Sequence, residues 1–248
     1  MISRRKLVGS LGGGLLLTGC DKLTMSPSFR EGLRGAEGLT MRAQRLITDR
    51  TALAREFSAS DLSPVFRANG TRVPPGEDYA AHVAKRFVDW RLVIDGLVDR
   101  PLALSLAQIR AMPARTQITR HDCVEGWSAI GQWTGTPLAL LLRAAGLRTS
   151  ARYLVFHCAD RYPSGNYYES IDLIDAFHPQ TILAWGLNRQ LLPVGNGAPL
   201  RLRVERQLGY KQAKYVQRIE AVATLAGTGS GKGGYWEDSN DYEWYAGI

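Results

Sequence analysis

Between Trp90 and Val222 the apolar and polar positions fall into short runs that read mostly as strands, with few helices between them. Residues 91–96 predict a strand running into the Asp95-Gly96 turn. Ser105 is placed to cap a short helix through Ala111, which must stop before Pro113. Residues 116–120 predict a strand. Thr136-Pro137 reads as the N-cap and first position of a helix with Leu138, Leu141, Leu142 and Ala145 on one face and Gly146 at its end. Residues 152–157 form an apolar strand, 171–177 a helix bounded by Pro179, 181–192 two strands around Asn188, and 200–204 and 215–222 two further strands. Strands outnumber helices and do not alternate with them regularly. The expected class is therefore α+β, with mixed sheets and short helices in a single domain, rather than a doubly wound sheet.

The flanks have a different texture. Residues 20–60 read as a tether and lead-in: 22–38 mixes Ser, Pro, Gly and charges without clear period, 42–55 suits a short amphipathic helix, and Ser63-Pro64 and Pro74-Pro75-Gly76 mark turns. The main domain is expected over 61–225. In 226–248 a glycine-rich stretch precedes Tyr235, Trp236, Tyr242, Trp244 and Tyr245, an aromatic segment expected to pack back onto the domain. Gly229 to Gly233 is not read as a phosphate loop, because Ala226 stands where the first Gly is needed, Gly follows Lys232, and no helix is expected next.

The first 19 residues read as an export signal. Arg4-Arg5-Lys6 is a basic start, and Val8 to Leu17 is too short to span a membrane. Ser3-Arg4-Arg5 resembles a twin-arginine signal, and Leu17-Thr18-Gly19-Cys20 resembles a bacterial lipobox, which makes Cys20 the expected site of a lipid anchor. The expected location is the periplasm, or the periplasmic side of the inner membrane. The composition, 45% hydrophobic and 22% charged over 248 residues, is that of a globular protein. The net charge of +8 comes from scattered arginines rather than a basic stripe, which argues against a nucleic-acid partner.

Reactive groups concentrate in one place, Arg120-His121-Asp122-Cys123-Val124-Glu125-Gly126-Trp127-Ser128. Cys123 has three chemical readings. A nucleophile paired with His121 would make a thiol hydrolase, but no nucleophile elbow surrounds it. A zinc site from His121, Cys123, His157 and Cys158 has unsuitable spacing. A single thiolate suffices if a cofactor brings the metal's other donors. That reading needs an anion site elsewhere, and Asn196-Gly197-Ala198-Pro199-Leu200-Arg201 and Gly209-Tyr210-Lys211-Gln212-Ala213-Lys214 offer amides, turns and cations for one. A Cys123–Cys158 disulfide, in a non-catalytic lipoprotein, is the bland alternative.

These motifs, with Trp133-x-Gly135-x-Pro137-Leu138, Tyr153-Leu154-Val155-Phe156 and His178-Pro179-Gln180-Thr181, run in an order that resembles the molybdopterin-binding oxidoreductases of the sulfite oxidase superfamily. The similarity is greatest to the branch that includes the periplasmic methionine-sulfoxide reductase catalytic subunits. The resemblance implies molybdenum on a single bare molybdopterin, with Cys123 as metal ligand. It implies that Asn196 and Arg201 bind the pterin and that Gln212, Ala213 and Lys214 hold its phosphate. Cys158 falls where the branch has a pterin-binding Thr, and Ser63, Phe66 and Arg67 fall at cofactor-contacting positions by spacing. Glu125 follows the metal Cys where sulfite oxidases place cations. It is expected to act in catalysis, or else to pair with Arg120, and to favour a neutral oxo-acceptor such as a sulfoxide over sulfite. Trp127 is expected to be a packing ring. No Cys-x-x-Cys-His haem motif occurs. The resemblance accordingly implies a membrane cytochrome b-type partner and no immunoglobulin-like dimerisation domain.

Overall fold

The computed structural model describes residues 26–248, so the twin-arginine-like segment, the lipobox-like segment and Cys20 lie outside the described residues. The described residues divide into two units, one ending at Asp49 and one of residues 50–248. In the first, Pro27–Ile47 is one helix, α1. This replaces both the aperiodic tether over 22–38 and the helix over 42–55. Gly32, Gly35 and Gly38 dilute the apolar period that runs through Phe29, Leu33, Leu39, Leu46 and Ile47.

The second unit begins at Arg50, because residues 50–60 are bonded into it. Gln180 exchanges side-chain hydrogen bonds with the Ala54 N–H and C=O, and the Phe57 N–H donates to Ile118. Its strands are β1 (Arg91–Gly96), β2 (Leu102–Ser105), β3 (Arg115–Asp122), β4 (Ser128–Pro137), β5 (Tyr153–Tyr162), β6 (Gly165–Asp172), β7 (Ile182–Leu187), β8 (Gln190–Leu191), β9 (Arg201–Arg203) and β10 (Val216–Val222). Its helices are α2 (Glu77–Ala84), α3 (Leu106–Ala111), α4 (Leu138–Ala145), α5 (Leu173–Ala176) and α6 (Tyr235–Asn240). One sheet has the order β2-β1-β10-β5-β6, in which only the β1–β10 pair is parallel. The other has β3-β4-β7-β8, with β9 also paired to β7. The α+β class with short helices stands.

Local signals explain several boundaries. Ser105 and Gln108 form a reciprocal capping box on α3. Gly146, at φ +71, closes α4, whose Leu138, Leu141, Leu142 and Ala145 are fully buried in the main core. Three expectations need correction. Pro137 ends β4, and the Thr136 hydroxyl donates to Ile109 rather than capping α4. Ile171 and Asp172 finish β6, so only four residues turn helical after the Asp172 cap. A helix, α6, does follow the glycines of the tail.

That tail is bonded closely to residues 206–211. Leu208 donates to Ala246, Ile248 donates to Arg206, and the Tyr210 hydroxyl donates to Glu243. Beneath it Lys211, with no solvent exposure, is ion-paired to Glu169 of β6 and Glu237 of α6, beside the Trp244 ring. A buried cation is tolerated when it is paired in this way.

Candidate active site

Cys123 sits in a five-residue hairpin loop between β3 and β4. Cys123 and Trp127 close it, the Cys123 N–H donating to Trp127 and the Gly126 N–H to Cys123. Gly126 takes φ +84, a conformation that favours glycine, and Ser128 bonds Asp122 at the base. The hairpin register pairs Asp122 with Ser128, which lifts Cys123 and Glu125 off the sheet at the rim of a cleft. The cleft has a volume of about 170 Å³ and opens to solvent. Its other walls come from Asn69 to Thr71, from Asp160 and Tyr162 of β5, from Gln212 to Lys214, and from Trp236 and Tyr242 of the tail. A second opening, lined by Phe66, Arg67, Trp127 and Asn196, shares Glu125 with it.

Under these openings lies a surplus of buried cations. Arg203 is matched by Glu205, which Gln117 also bonds. Arg201 is matched by no carboxylate. Among the described residues its hydrogen bonds go only to Asn196 O and Asn69 Oδ1, both at 3.3 Å, and it lies over the Trp133 ring. Burial, then Arg203, pull its guanidinium down to about 9. Lys214 donates to the carbonyls of Asn69, Thr71 and Gly195, and burial, then Arg201, pull it down to about 7. Asp160 is the nearby acid; burial pushes its carboxyl up to about 7, and its Oδ1 is buried without a partner. Asn196 Nδ2 and Arg201 Nε are likewise buried without acceptors, and the amide N–H groups of Ala213 and Lys214 have none among the described residues. Unpaired donors and uncompensated cations are each costly when buried. Their gathering in and beneath the two adjoining openings suits an anion with hydrogen-bonding edges.

A model of the oxidoreductase molybdopterin-binding domain matches residues 80–227, more than half of the chain. The chain belongs to this family of molybdopterin-binding oxidoreductases. Over 238 residues it is 39% identical to a chain provisionally named protein-methionine-sulfoxide reductase subunit YedZ1 from Azospira oryzae, covering 96% of this chain and 84% of that one. Over 144 residues it is 38% identical to the protein-methionine-sulfoxide reductase catalytic subunit MsrP of Ralstonia nicotianae, covering 54% of this chain and 44% of the relative. The sulfane dehydrogenase SoxCD from Paracoccus pantotrophus superimposes with a TM-score of 0.51 at 25% identity, over 55% of this chain and 39% of that chain. The residues present fit the family's cofactor: a phosphate would offset the charge of Arg201 and Lys214, and a pterin's ring acceptors would meet the orphaned Asn196 and Arg201 donors.

The expected site residues divide accordingly. Cys123, Glu125, Gln212, Ala213 and Lys214 line the cleft, Asn196 and Arg67 line the adjoining opening, and Arg201 lies beneath. Gln212 spends its N–H on Gly209 and its side-chain amide N–H on Gln207, so the free amides are those of Ala213 and Lys214. The Lys214 ammonium is committed to carbonyls, which leaves its field rather than its protons for a phosphate. Ser63 pins the lead-in to β4 by accepting from the Ile130 N–H, and Phe66 packs edge-on against Trp133 while lining the second opening. The Cys158 thiol is buried in the main core, bonded to Phe156 O, and does not line the cleft. Glu125 does not pair with Arg120, which goes to Asp122; the Glu125 carboxylate accepts from the Trp127 indole at 2.9 Å. Trp127 is therefore more than a packing ring. Asp160 and Asn69 have no place in the sequence reading, though Asp160, an acid at the end of an apolar strand, leaves a signal there; the tail aromatics Trp236 and Tyr242 are expected to pack on the domain but not to wall the cleft.

Both Cys123 and Cys158 are free thiols. His121 is buried, with Nδ1 accepting from Arg203, and burial, then Arg201 and Arg203, hold it well below its ordinary value. No hydrogen bond joins it to Cys123 among the described residues, and burial pushes the Cys123 thiol up. A Cys–His hydrolase therefore lacks both its contact and its thiolate.

Proposed function

We propose that this chain is the catalytic subunit of an exported reductase that removes oxygen from small neutral sulfoxides. It would use molybdenum on a single bare molybdopterin, with Cys123 as the protein's metal ligand. The observation that carries the reading is the cation-surplus cleft with orphaned donors facing the Cys123 hairpin. When bound, the cofactor supplies the metal centre at which oxygen leaves the substrate. Asn196 and Arg201 would orient the pterin, and the Ala213 and Lys214 amides would hold the phosphate. Glu125, which forms no ion pair among the described residues and is aligned by Trp127, repels an anion such as sulfite and accepts hydrogen bonds from a neutral or protonated substrate. Each sulfoxide reduced to a thioether consumes two electrons and two protons and releases water. The electrons must come from a partner, since the sequence has no haem motif. The names of the relatives support a methionine-sulfoxide substrate, and the word subunit in both supports a partner chain; that partner would be a membrane cytochrome b-type donor. A lipid on Cys20 would hold the enzyme on the periplasmic face of the inner membrane, near that donor.

Molybdenum per chain and turnover with methionine sulfoxide, driven by a reduced viologen dye, test this in wild type and Cys123→Ser. The expected result is near-stoichiometric metal in wild type and turnover reduced by more than about 100-fold in the variant, beyond the usual effect of removing a residue that only supports a ligand. Metal-free protein from a host that makes the cofactor, or faster turnover as a sulfite oxidase, overturns the reading.

A further inference from the structure

Among the described residues of the first unit, helix α1 carries the large exposed apolar side chains. Phe29, Leu33, Leu39, Leu46 and Ile47 are 38–86% exposed. At 100° per residue they fall within an arc of about 140°. Ala36, Thr40 and Ala43 share that arc, and the Thr40 hydroxyl is satisfied by Ala36 O on the helix itself. Glu37, Arg42 and Arg45 lie outside it. The half-buried positions, among them Glu37, Met41, Gln44 and Arg45, are on the other side. The helix sequence carries four Arg against two Glu. It is not long and apolar enough to cross a membrane.

We propose that α1 is an interfacial helix, lying in the surface of an anionic bilayer with this stripe buried among the acyl chains. A continuous apolar stripe opposite an arginine-rich face is what binding in the plane of a membrane requires. The position agrees: Pro27 follows Cys20 by seven residues, a reach of at most about 25 Å, so a lipid on Cys20 would keep α1 at the bilayer. A single lipid chain binds only marginally, and a second signal makes attachment stable. The glycines fit as well. A methyl group on Gly32, Gly35 or Gly38 would meet nothing among the described residues. They leave an intrinsically weak helix for the lipid surface to complete.

The test uses the mature chain from residue 20 with Cys20→Ser, so that no lipid is attached. It is floated with vesicles of phosphatidylglycerol and phosphatidylethanolamine. The expected result is co-flotation that falls at least about tenfold in Leu33→Gln/Leu39→Gln/Leu46→Gln, with α-helical circular dichroism rising on vesicles in the unsubstituted chain alone. Dye-driven turnover should be equal in both. An unsubstituted chain that stays unbound, binding that survives the triple substitution, or a dimer in buffer that the substitution dissolves each overturns the proposal. Flotation does not depend on the cofactor, so failure of the reductase reading leaves this result standing.

Discussion

Lys211 and Lys214 are three residues apart, both buried, and held in opposite ways. Burial pulls the Lys211 ammonium down, but Glu169 and Glu237 more than reverse it and hold the group above its ordinary value. Lys214 bonds only carbonyls among the described residues; burial, then Arg201, outweigh the pull of nearby Asp160, and it falls to about 7. The first is closed structure: a cation with more carboxylate than it needs. The second is a deficit kept open in a cleft. The difference shows that burial of charge says little until its partners are counted, and that the count separates a clamp from a binding place.

The largest break in this comparison is Lys211→Met. Two carboxylates would be left buried without a cation, and unfolding in urea should show a loss of about 3–5 kcal/mol, with the tail detached. Lys214→Met should do the reverse. The cofactor-free chain should stay within about 1 kcal/mol of wild type, because losing three carbonyl contacts is offset by no longer burying an unpaired charge. Retention of molybdenum during dialysis should weaken by about 10–100-fold. Similar losses of stability in the two variants would erase the distinction.

Smaller in size is the pH dependence of the cofactor-free protein. Lys214 falls from 10.5 unfolded to about 7 folded. Between those values the unfolded chain holds a proton the folded chain lacks, so stability rises with pH there. Asp160 rises from 3.8 to about 7, so its stabilising contribution at low pH is lost as pH climbs to about 7. Each limb has a slope of at most about 1.4 kcal/mol per pH unit. A minimum near pH 7 should appear in urea midpoints, losing its alkaline limb in Lys214→Met and its acid limb in Asp160→Asn. An unchanged alkaline limb in Lys214→Met would mean another group titrates. Least of all, Trp127→Phe frees the Glu125 carboxylate from its indole donor. Turnover should fall by a few fold, about the worth of one hydrogen bond, at unchanged molybdenum content.

Much of this was legible in the sequence wherever partners are near neighbours. The capping box of α3, the glycine that ends α4 and the turn around Asn188 are all local. Cys123 stood out by the density of chemistry around it, and Asn196 to Arg201 and Gly209 to Lys214 by their turns and cations. The rest depended on distance. Lys211 meets Glu169 and Glu237 across separations of 42 and 26 residues, which no periodicity encodes. Asp160 and Cys158 lie two positions apart on one strand, yet the thiol enters the core and the acid reaches the cleft. The β5–β6 pairing shifts register between His157 and Arg161, and only the paired strand reveals that shift.

The tail has a consequence for the order of assembly. Trp236 and Tyr242 wall the cleft, and Glu237 completes the Lys211 pairings, whereas every residue expected to hold the cofactor precedes residue 215. A chain grown only to residue 225 would therefore present the grip without the enclosure. The partly exposed stretch from Gly227 to Ser230 links that enclosure to β10. One proteolytic cut there would open the vessel while leaving every holding residue in place.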